Sequence, residues 1–371
     1  MTRRVLEVLG PSTGGIRRHV AALAQHLPES SWETDIAGPR DVMEGLVPAF
    51  AAGHVATLDV PASFGAIAHR PDRLVNAARG LRRLARPVEV VHAHGLKAGL
   101  LATSACTGRP LVLTVHNVVL DEVTGRGATV MRRVERAVIS RADQVICGSA
   151  DIAAMFTDLV PSDRLRWITP ASADPVVHRR AAEVRAAHGI AADDQMIVAV
   201  TRLHPQKNLS LMISAFARVA DDHPRARLLI VGDGPMRSAL QDEIDRLGMA
   251  PRVTLAGHAD NPADEMAAAD IVALSSSWEG VPLAAAEALQ LGRPLVMTAV
   301  GTIGVQMERD GVGGIAVPPD DVDGFAAALD ALLGDRDLAE RLGIAGRVVG
   351  ERYRARRLVA EVAAVYGEVA R

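Results

Sequence analysis

Short aliphatic runs alternate with stretches of helical period along this chain, and they do so in two series. The first series is VLEVLG (5–10), TDIAG (34–38), VATLDV (55–60), VEVVHAHG (88–95), PLVLTVHN (110–117) and QVICGS (144–149). Runs that are rich in Val, Ile and Leu throughout must be buried on both faces, which a parallel sheet covered by helices on each side provides. The segment PASADPVVHRRAAEVRAAHGIAADD (170–194) interrupts the pattern and reads as a linker with a short helix. The alternation then restarts with MIVAVTRL, RLLIVGDG, RVTLAGH, DIVALSSS, PLVMTAVG and GGIAVPPD. A chain of 371 residues exceeds one ordinary core. Two doubly wound α/β domains of similar size are therefore expected, over 1–172 and 173–352, followed by an amphipathic helix over 353–371. Ligands of such sheets bind at the carboxyl ends of strands, so two sheets facing one another would enclose a cleft.

Composition narrows the setting. Only 3% of the residues are aromatic against 49% apolar, which suits aliphatic layers. The net charge of −3 comes with no basic stripe interleaved with aromatics, which argues against nucleic-acid binding. Cys106 and Cys147 lie far apart in apolar surroundings, as expected in a reducing compartment rather than in a disulfide scaffold. The first apolar run ends at Gly10, too short for a signal-peptide core, and no run approaches a membrane span. A cytoplasmic protein is expected. Two of the 41 basic residues are lysines, Lys97 and Lys207, so each merits attention.

Chemistry-bearing residues gather at the ends of the runs. GPSTGGIRRHV puts Gly14 and Gly15 at a turn opening a helix, where backbone N–H groups can meet an anion, although an ordinary strand-to-helix turn reads the same way. His94 and His116, the latter followed by Asn117, close two successive runs and can share one crevice. Their spacing is not that of a zinc motif, and no Asp-x-Asp pair stands in a suitable loop, so no metal is expected. Arg202 and Lys207 follow the first run of the second series. A guanidinium fork and a point charge projected together suit a diphosphate. VGDGP (231–235) is by itself a well-formed turn.

The stretch SSSWEGVPLAAAEALQLGRP (275–294) carries two acids eight positions apart. Packing accounts for its alanines but for neither acid. Gly280 and Val281 form a turn, and Pro282 suits a first helical turn, where its missing N–H costs nothing. Glu287, on the helix, can accept two hydrogen bonds from a vicinal diol such as a ribose. Glu279, at the loop, can accept from sugar hydroxyls. A diol acceptor, amide donors, two cations and a hydroxyl acceptor together describe a nucleoside diphosphate sugar.

These residues resemble the retaining GT-B glycosyltransferases of family 4 over nearly the whole chain. The resemblance rests on GGIRRHV, HAHG, TVHN, ADQVICGS, TRLHPQKN, VGDGP, VTLAGH and EGVPLAAAE, the last similar to that family's Glu-x7-Glu signature. It implies a GT-B fold of two Rossmann-like domains, with the C-terminal helix crossing back onto the first. Gly15 would lie against the donor diphosphate. Arg202 and Lys207 would neutralise that diphosphate as it leaves, and backbone at Gly280, Val281, Pro282 and Leu283 would contact the phosphates. Glu287 would bind the ribose, Glu279 the transferred sugar, and His116 would sit beside the reacting carbon. Arg17, with His94 and Asn117, forms the candidate acceptor set. The implied activity is metal-independent retaining transfer of a hexose-type sugar from a UDP- or GDP-sugar to a hydroxyl acceptor, in cell-envelope glycolipid, polysaccharide or secondary-metabolite glycan synthesis. The chain departs from relatives at Pro170–Asp174, where Pro-Asn-Gly-Val-Asp is common. It departs again at VGTIGVQMERDG (300–311), where Gln306 stands near a usual acid.

Other classes fit less well. A glycoside hydrolase also uses two carboxylates but has no need of paired nucleotide-binding halves. A pyridoxal-phosphate phosphorylase needs a Schiff-base lysine, and Lys207 is already assigned. The alternatives kept are a GT-B nucleotide-sugar epimerase and a non-catalytic sugar-nucleotide-binding protein. The stretch HRPDRLVNAARGLRRLARP (69–87) sets small apolar residues on one helical face among arginines. Peripheral docking at the inner face of an anionic membrane, towards a lipid-linked acceptor, is one reading. A solvated surface helix is preferred, because that face lacks large apolar residues.

Overall fold

The computed structural model describes residues 3–11, 15–44, 55–58, 71–106, 108–116, 126–171 and 174–370. The chain divides into two compact units, Met1–Ala173 with Ala355–Arg371, and Asp174–Arg354.

The first unit is a seven-stranded sheet: β1 Arg3–Leu9, β2 Trp32–Gly38, β3 Val55–Thr57, β4 Val90–His94, β5 Leu111–Val115, β6 Gln144–Cys147 and β7 Leu165–Trp167. The order is β3-β2-β1-β4-β5-β6-β7 and every pairing is parallel. Six of these strands fall on the aliphatic runs of the sequence. β7 does not, because it is a three-residue edge strand with Arg166 between Leu165 and Trp167, and its exposed positions need no aliphatic run.

Strand alternation assigns side chains to faces. Leu6, Val8, Val91, Ala93, Leu113 and Val145 line one face and pack on helices Leu96–Ala105 and Pro71–Leu84. In the second of these helices and the turn that follows it, Ala77, Leu81 and Ala85 are buried in this core while Arg73, Arg79, Arg82, Arg83 and Arg86 are exposed. The apolar face weighed for membrane docking is thus taken up by the fold. Val5, Val90, Val112 and Ile146 line the opposite face, which the C-terminal helix Ala355–Val369 covers with Leu358, Val359, Val362, Val365 and Tyr366. That same parity places Glu7, His92, His94 and Thr114 on the covered face, all four buried.

The second unit is a six-stranded parallel sheet: β8 Gln195–Val200, β9 Ala226–Val231, β10 Val253–Gly257, β11 Ile271–Leu274, β12 Leu295–Thr298 and β13 Gly314–Val317, in the order β10-β9-β8-β11-β12-β13. Two apolar clusters cover its faces, one around Phe216, Phe325 and Leu329, the other around Met266, Leu289 and Met297. No described helix is long and apolar enough to cross a membrane.

Candidate functional site

In the second unit β8 and β11 are hydrogen-bonded neighbours, with Ile271 beside Ile197 and Val272 beside Val198. The chain adds strands on one side of β8 and then on the other, so the loops after β8 and β11 part at a topological switch point, where open α/β sheets bind ligands. The loop after β8 carries Arg202 and a single 3-10 turn, Pro205–Lys207. The loop after β11 runs to the helix Leu283–Gln290, with Pro282 at its N-cap rather than inside its first turn.

Hydrogen bonds lace the two loops together. Ser275 Oγ donates to the Lys207 carbonyl at 2.9 Å, the Ser277 amide to the Gln206 carbonyl at 2.9 Å, and Gln206 Nε2 to the Trp278 carbonyl at 2.8 Å. Lys207 Nζ consequently meets Glu279 Oε1, and Ser276 Oγ donates to the same oxygen at 2.7 Å. Glu279 Oε2 has no protein partner among the described residues. Both side chains are mostly withdrawn from solvent, at 16% exposed for Lys207 and 13% for Glu279. Arg202 is exposed and makes no ion pair among the described residues. Glu287, the fifth residue of its helix, is buried.

Two glycines let this cradle close. Gly232, at φ 140°, lies so near β8's exit that a Cβ there would stand 1.8 Å from the Thr201 carbonyl oxygen. That approach lets the Leu203 amide donate to the Asp233 carbonyl at 3.0 Å, bracing the Arg202 loop. VGDGP is therefore more than a turn. Gly301, at φ 65°, backs the Gly280 carbonyl, which accepts from the Thr302 amide at 3.0 Å. Reading the sequence alone assigned nothing to Ser275, Ser276 and Gln206. Three consecutive serines ending an aliphatic run were the available signal.

In the first unit the switch point falls between β1 and β4. Gly15 opens the helix Gly15–His26, and Arg17 lies half-buried in its first turn. Gly14 and Asn117 lie outside the described residues. His94 ends β4 and His116 follows β5 directly. They meet through His94 Nδ1 and His116 Nε2 at 3.2 Å. His94 Nε2 lies 2.6 Å from Glu7 Oε2, and Tyr366 Oη donates to Glu7 Oε1 at 2.7 Å. His92 Nδ1 is 2.6 Å from the same phenol and 3.2 Å from Glu7 Oε2, while its Nε2 is 2.7 Å from Thr114 Oγ1. His19 stands edge-on to His94 and His116, with ring centroids 5.6 and 5.0 Å apart. His94 is thus buried with both ring nitrogens engaged, and it faces His116 rather than an open acceptor site. His19, His94 and His116 offer nitrogens within 4.8 Å of one another, as Glu7, His92 and His94 offer ligand atoms, but the bonds above already use the His94 pair.

Burial is the largest influence on these histidines and pushes each pKa down, with neighbouring imidazoles adding to it: His19 to about 3, His94 to about 4, and His116 well below its ordinary value. Burial alone would raise Glu7, but the His92 and His94 imidazoles outweigh it and hold the carboxyl well below the usual range. The sign for stability follows. As pH falls below the unfolded histidine value near 6.5, the unfolded chain takes protons that the folded unit refuses. The stability present above that value is therefore lost as pH drops towards the folded values. At about pH 5, His19 and His94 should each cost about 2 kcal/mol. A thermal melt that does not move between about pH 7.5 and 5 would contradict this.

The first half, residues 13–171, matches the family model Glycosyltransferase Family 4, and residues 181–349 match Glycosyl transferases group 1. The chain is 32% identical over 286 residues to a D-inositol 3-phosphate glycosyltransferase of Nocardia farcinica, covering 71% of this chain and 62% of that protein. It is 27% identical over 332 residues to the alpha-D-kanosaminyltransferase of Streptomyces kanamyceticus, covering 82% and 85%. A shorter match, 38% identical over 148 residues, reaches 16% of an exopolysaccharide phosphotransferase of Streptomyces coelicolor. The chain thus spans less than two thirds of two of these relatives. Among solved structures, Anabaena HepE in complex with UDP-glucose superposes with a TM-score of 0.82 at 19% identity, covering 98% of this chain and 99% of that one. Sucrose-phosphate synthase of Thermosynechococcus elongatus gives 0.79 at 21%, covering 99% of each. Two parallel sheets with ligand-type loops at their switch points, and family models matching each half, lead to one assignment: the chain belongs to the GT-B glycosyltransferases.

Proposed function

We propose that this protein transfers a hexose-type sugar from a UDP- or GDP-sugar to a hydroxyl acceptor with retention of configuration and without a metal ion. One observation carries the reading. Glu279 is held by Lys207 and Ser276 through one oxygen and leaves the other for a sugar hydroxyl, beside an exposed arginine at the β8/β11 switch point. An ammonium has three donors, so Lys207 can keep Glu279 and still reach a phosphate oxygen. Arg202 supplies a fork for the same diphosphate. Glu287 takes the ribose diol, and the turn Gly280–Leu283 turns its amides to the phosphates. Gly15 and His116 are the groups of the first unit assigned to the donor, the latter to its sugar hydroxyls. Arg17 remains assigned to the acceptor.

In this reading the bond from the anomeric carbon to the diphosphate oxygen breaks, and its electron pair leaves with the diphosphate. The acceptor oxygen bonds to the same face of the carbon, and its proton passes to the departing phosphate oxygen. Arg202 and Lys207 stabilise charge that develops only as that bond breaks, which is where binding energy accelerates a reaction. The printed name of the D-inositol 3-phosphate glycosyltransferase relative supports a small hydroxyl acceptor. Cys106 and Cys147 are free and buried, with burial pushing their thiols to about 11 and about 12, which supports a cytoplasmic setting.

The test is a thermal-shift panel of UDP-, GDP-, ADP- and dTDP-sugars, followed by turnover with and without EDTA. A donor at about a hundred times its Kd should add about 2.7 kcal/mol. One nucleotide family should stabilise the protein and EDTA should leave turnover unchanged. Stabilisation by none, with the protein folded, would remove the donor assignment, and free epimerised sugar as the product would replace transfer with epimerisation.

A further inference from the structure

The chain Glu7–His94–His116 joins β1, β4 and the exit of β5, runs from two buried residues to a half-buried one, and has a direction. An ionised carboxylate only accepts hydrogen bonds, so the 2.6 Å contact to Glu7 requires that His94 Nε2 carry a proton. A neutral His94 then has only a lone pair on Nδ1. The 3.2 Å contact to His116 Nε2 is a hydrogen bond only if His116 donates it. His116, neutral in turn, is left with a lone pair on Nδ1. We infer that Glu7 and His94 are positioning residues that fix the His116 tautomer, so that its Nδ1 meets a substrate hydroxyl as an acceptor and never as a donor.

The surroundings favour the same state. The imidazoles of His19, from the helix Gly15–His26, of His92 and of His94 act on His116, and the Glu7 carboxylate and Tyr366 phenol complete the described cluster. A second proton on the buried His94 or the half-buried His116 would face neighbouring imidazoles, and desolvation accordingly favours the neutral form of both at neutral pH. Tyr366 completes the arrangement from the C-terminal helix. Its hydroxyl occupies Glu7 Oε1 and leaves Oε2 to His94. Carboxylate–imidazole pairs that hold a second group in one tautomer are a recurrent device, and losing the carboxylate while keeping the shape costs rate by presenting the wrong nitrogen.

The tautomer follows from these contacts with Glu7 ionised and His94 neutral, whereas its consequence for rate rests on the proposed function of His116. The experiment separates the two. Long-range proton–nitrogen spectra of the full chain labelled with ¹⁵N-histidine, with His116→Asn to assign the signals, should show His116 protonated at Nε2 and bare at Nδ1. In Glu7→Gln the amide oxygen keeps the Tyr366 bond and the –NH2 turns donor to His94, so the chain should reverse and put the proton on His116 Nδ1. Turnover should fall about a hundredfold in kcat with KM within about threefold. Tyr366→Phe leaves the carboxylate acceptor-only and should keep the wild-type tautomer, which separates positioning from a loss of stability. Wild-type His116 protonated at Nδ1 would overturn the inference, and it needs no variant to fold. The predicted tautomers with undiminished kcat in Glu7→Gln would keep the relay and overturn the catalytic assignment of His116.

Discussion

Lys207→Ala should lower kcat/KM by about a hundred- to a thousandfold, most of it in kcat. Lys207 sits in a cradle that Gly232, Ser275 and Gln206 hold in place before any ligand arrives, so its charge needs no reorganisation when the diphosphate departs. Preorganised charge aimed at a leaving group acts chiefly in the transition state. The substitution also strips Glu279 of its cation in a site where that side chain is 13% exposed, leaving Ser276 as its remaining described partner. A double-mutant cycle with Glu279→Gln measures the coupling, expected at about 0.5–3 kcal/mol for residues in contact. Should Lys207→Ala turn over within threefold of wild type, the lysine does not serve the diphosphate and the pair is structural.

Glu287→Ala should weaken donor binding by about a hundred- to ten-thousandfold while leaving the melt of the ligand-free protein within a few degrees. Two hydrogen bonds from a ribose diol to a carboxylate contribute about 1.5–3 kcal/mol each, because one partner is charged. Alanine suits the helix Leu283–Gln290, whose other positions are largely alanine and leucine, so the backbone at the Gly280 turn should persist. The readout is the nucleotide-dependent shift in melting temperature. Loss of that shift with a free nucleoside as well as with the sugar nucleotide places Glu287 on the ribose. Retention of the nucleoside shift would move the residue away from it.

The fold was legible because aliphatic runs at both faces of a strand admit few architectures, and the two series of runs are clear in the sequence. The end of β4 was legible only in part. VEVVHAHG shows histidines at a strand terminus, but alternation cannot say which helix covers that face. The structure puts the C-terminal helix over it, so that His94 becomes a buried link between Glu7 and His116. The loop after β11 was read for its two acids, while the serines before them passed as polar loop composition. Their partners lie on the β8 loop, and a single sequence does not show that β8 and β11 are neighbours.

What the sequence determined by itself is local chemistry: which runs are strands, which turns need glycine, and that cations, acids and histidines stand at strand ends. These follow from the period of the side chains and from backbone sterics, both of which act over a few residues. The tertiary structure decided which of those groups touch. Lys207 and Glu279 meet because β9 and β10 extend the sheet on one side of β8 and β11 returns on the other. Tyr366 and Glu7 meet because the last helix closes over the first strand. Such pairings depend on strand order and on which surface buries which, and these belong to the whole chain rather than to any stretch of it.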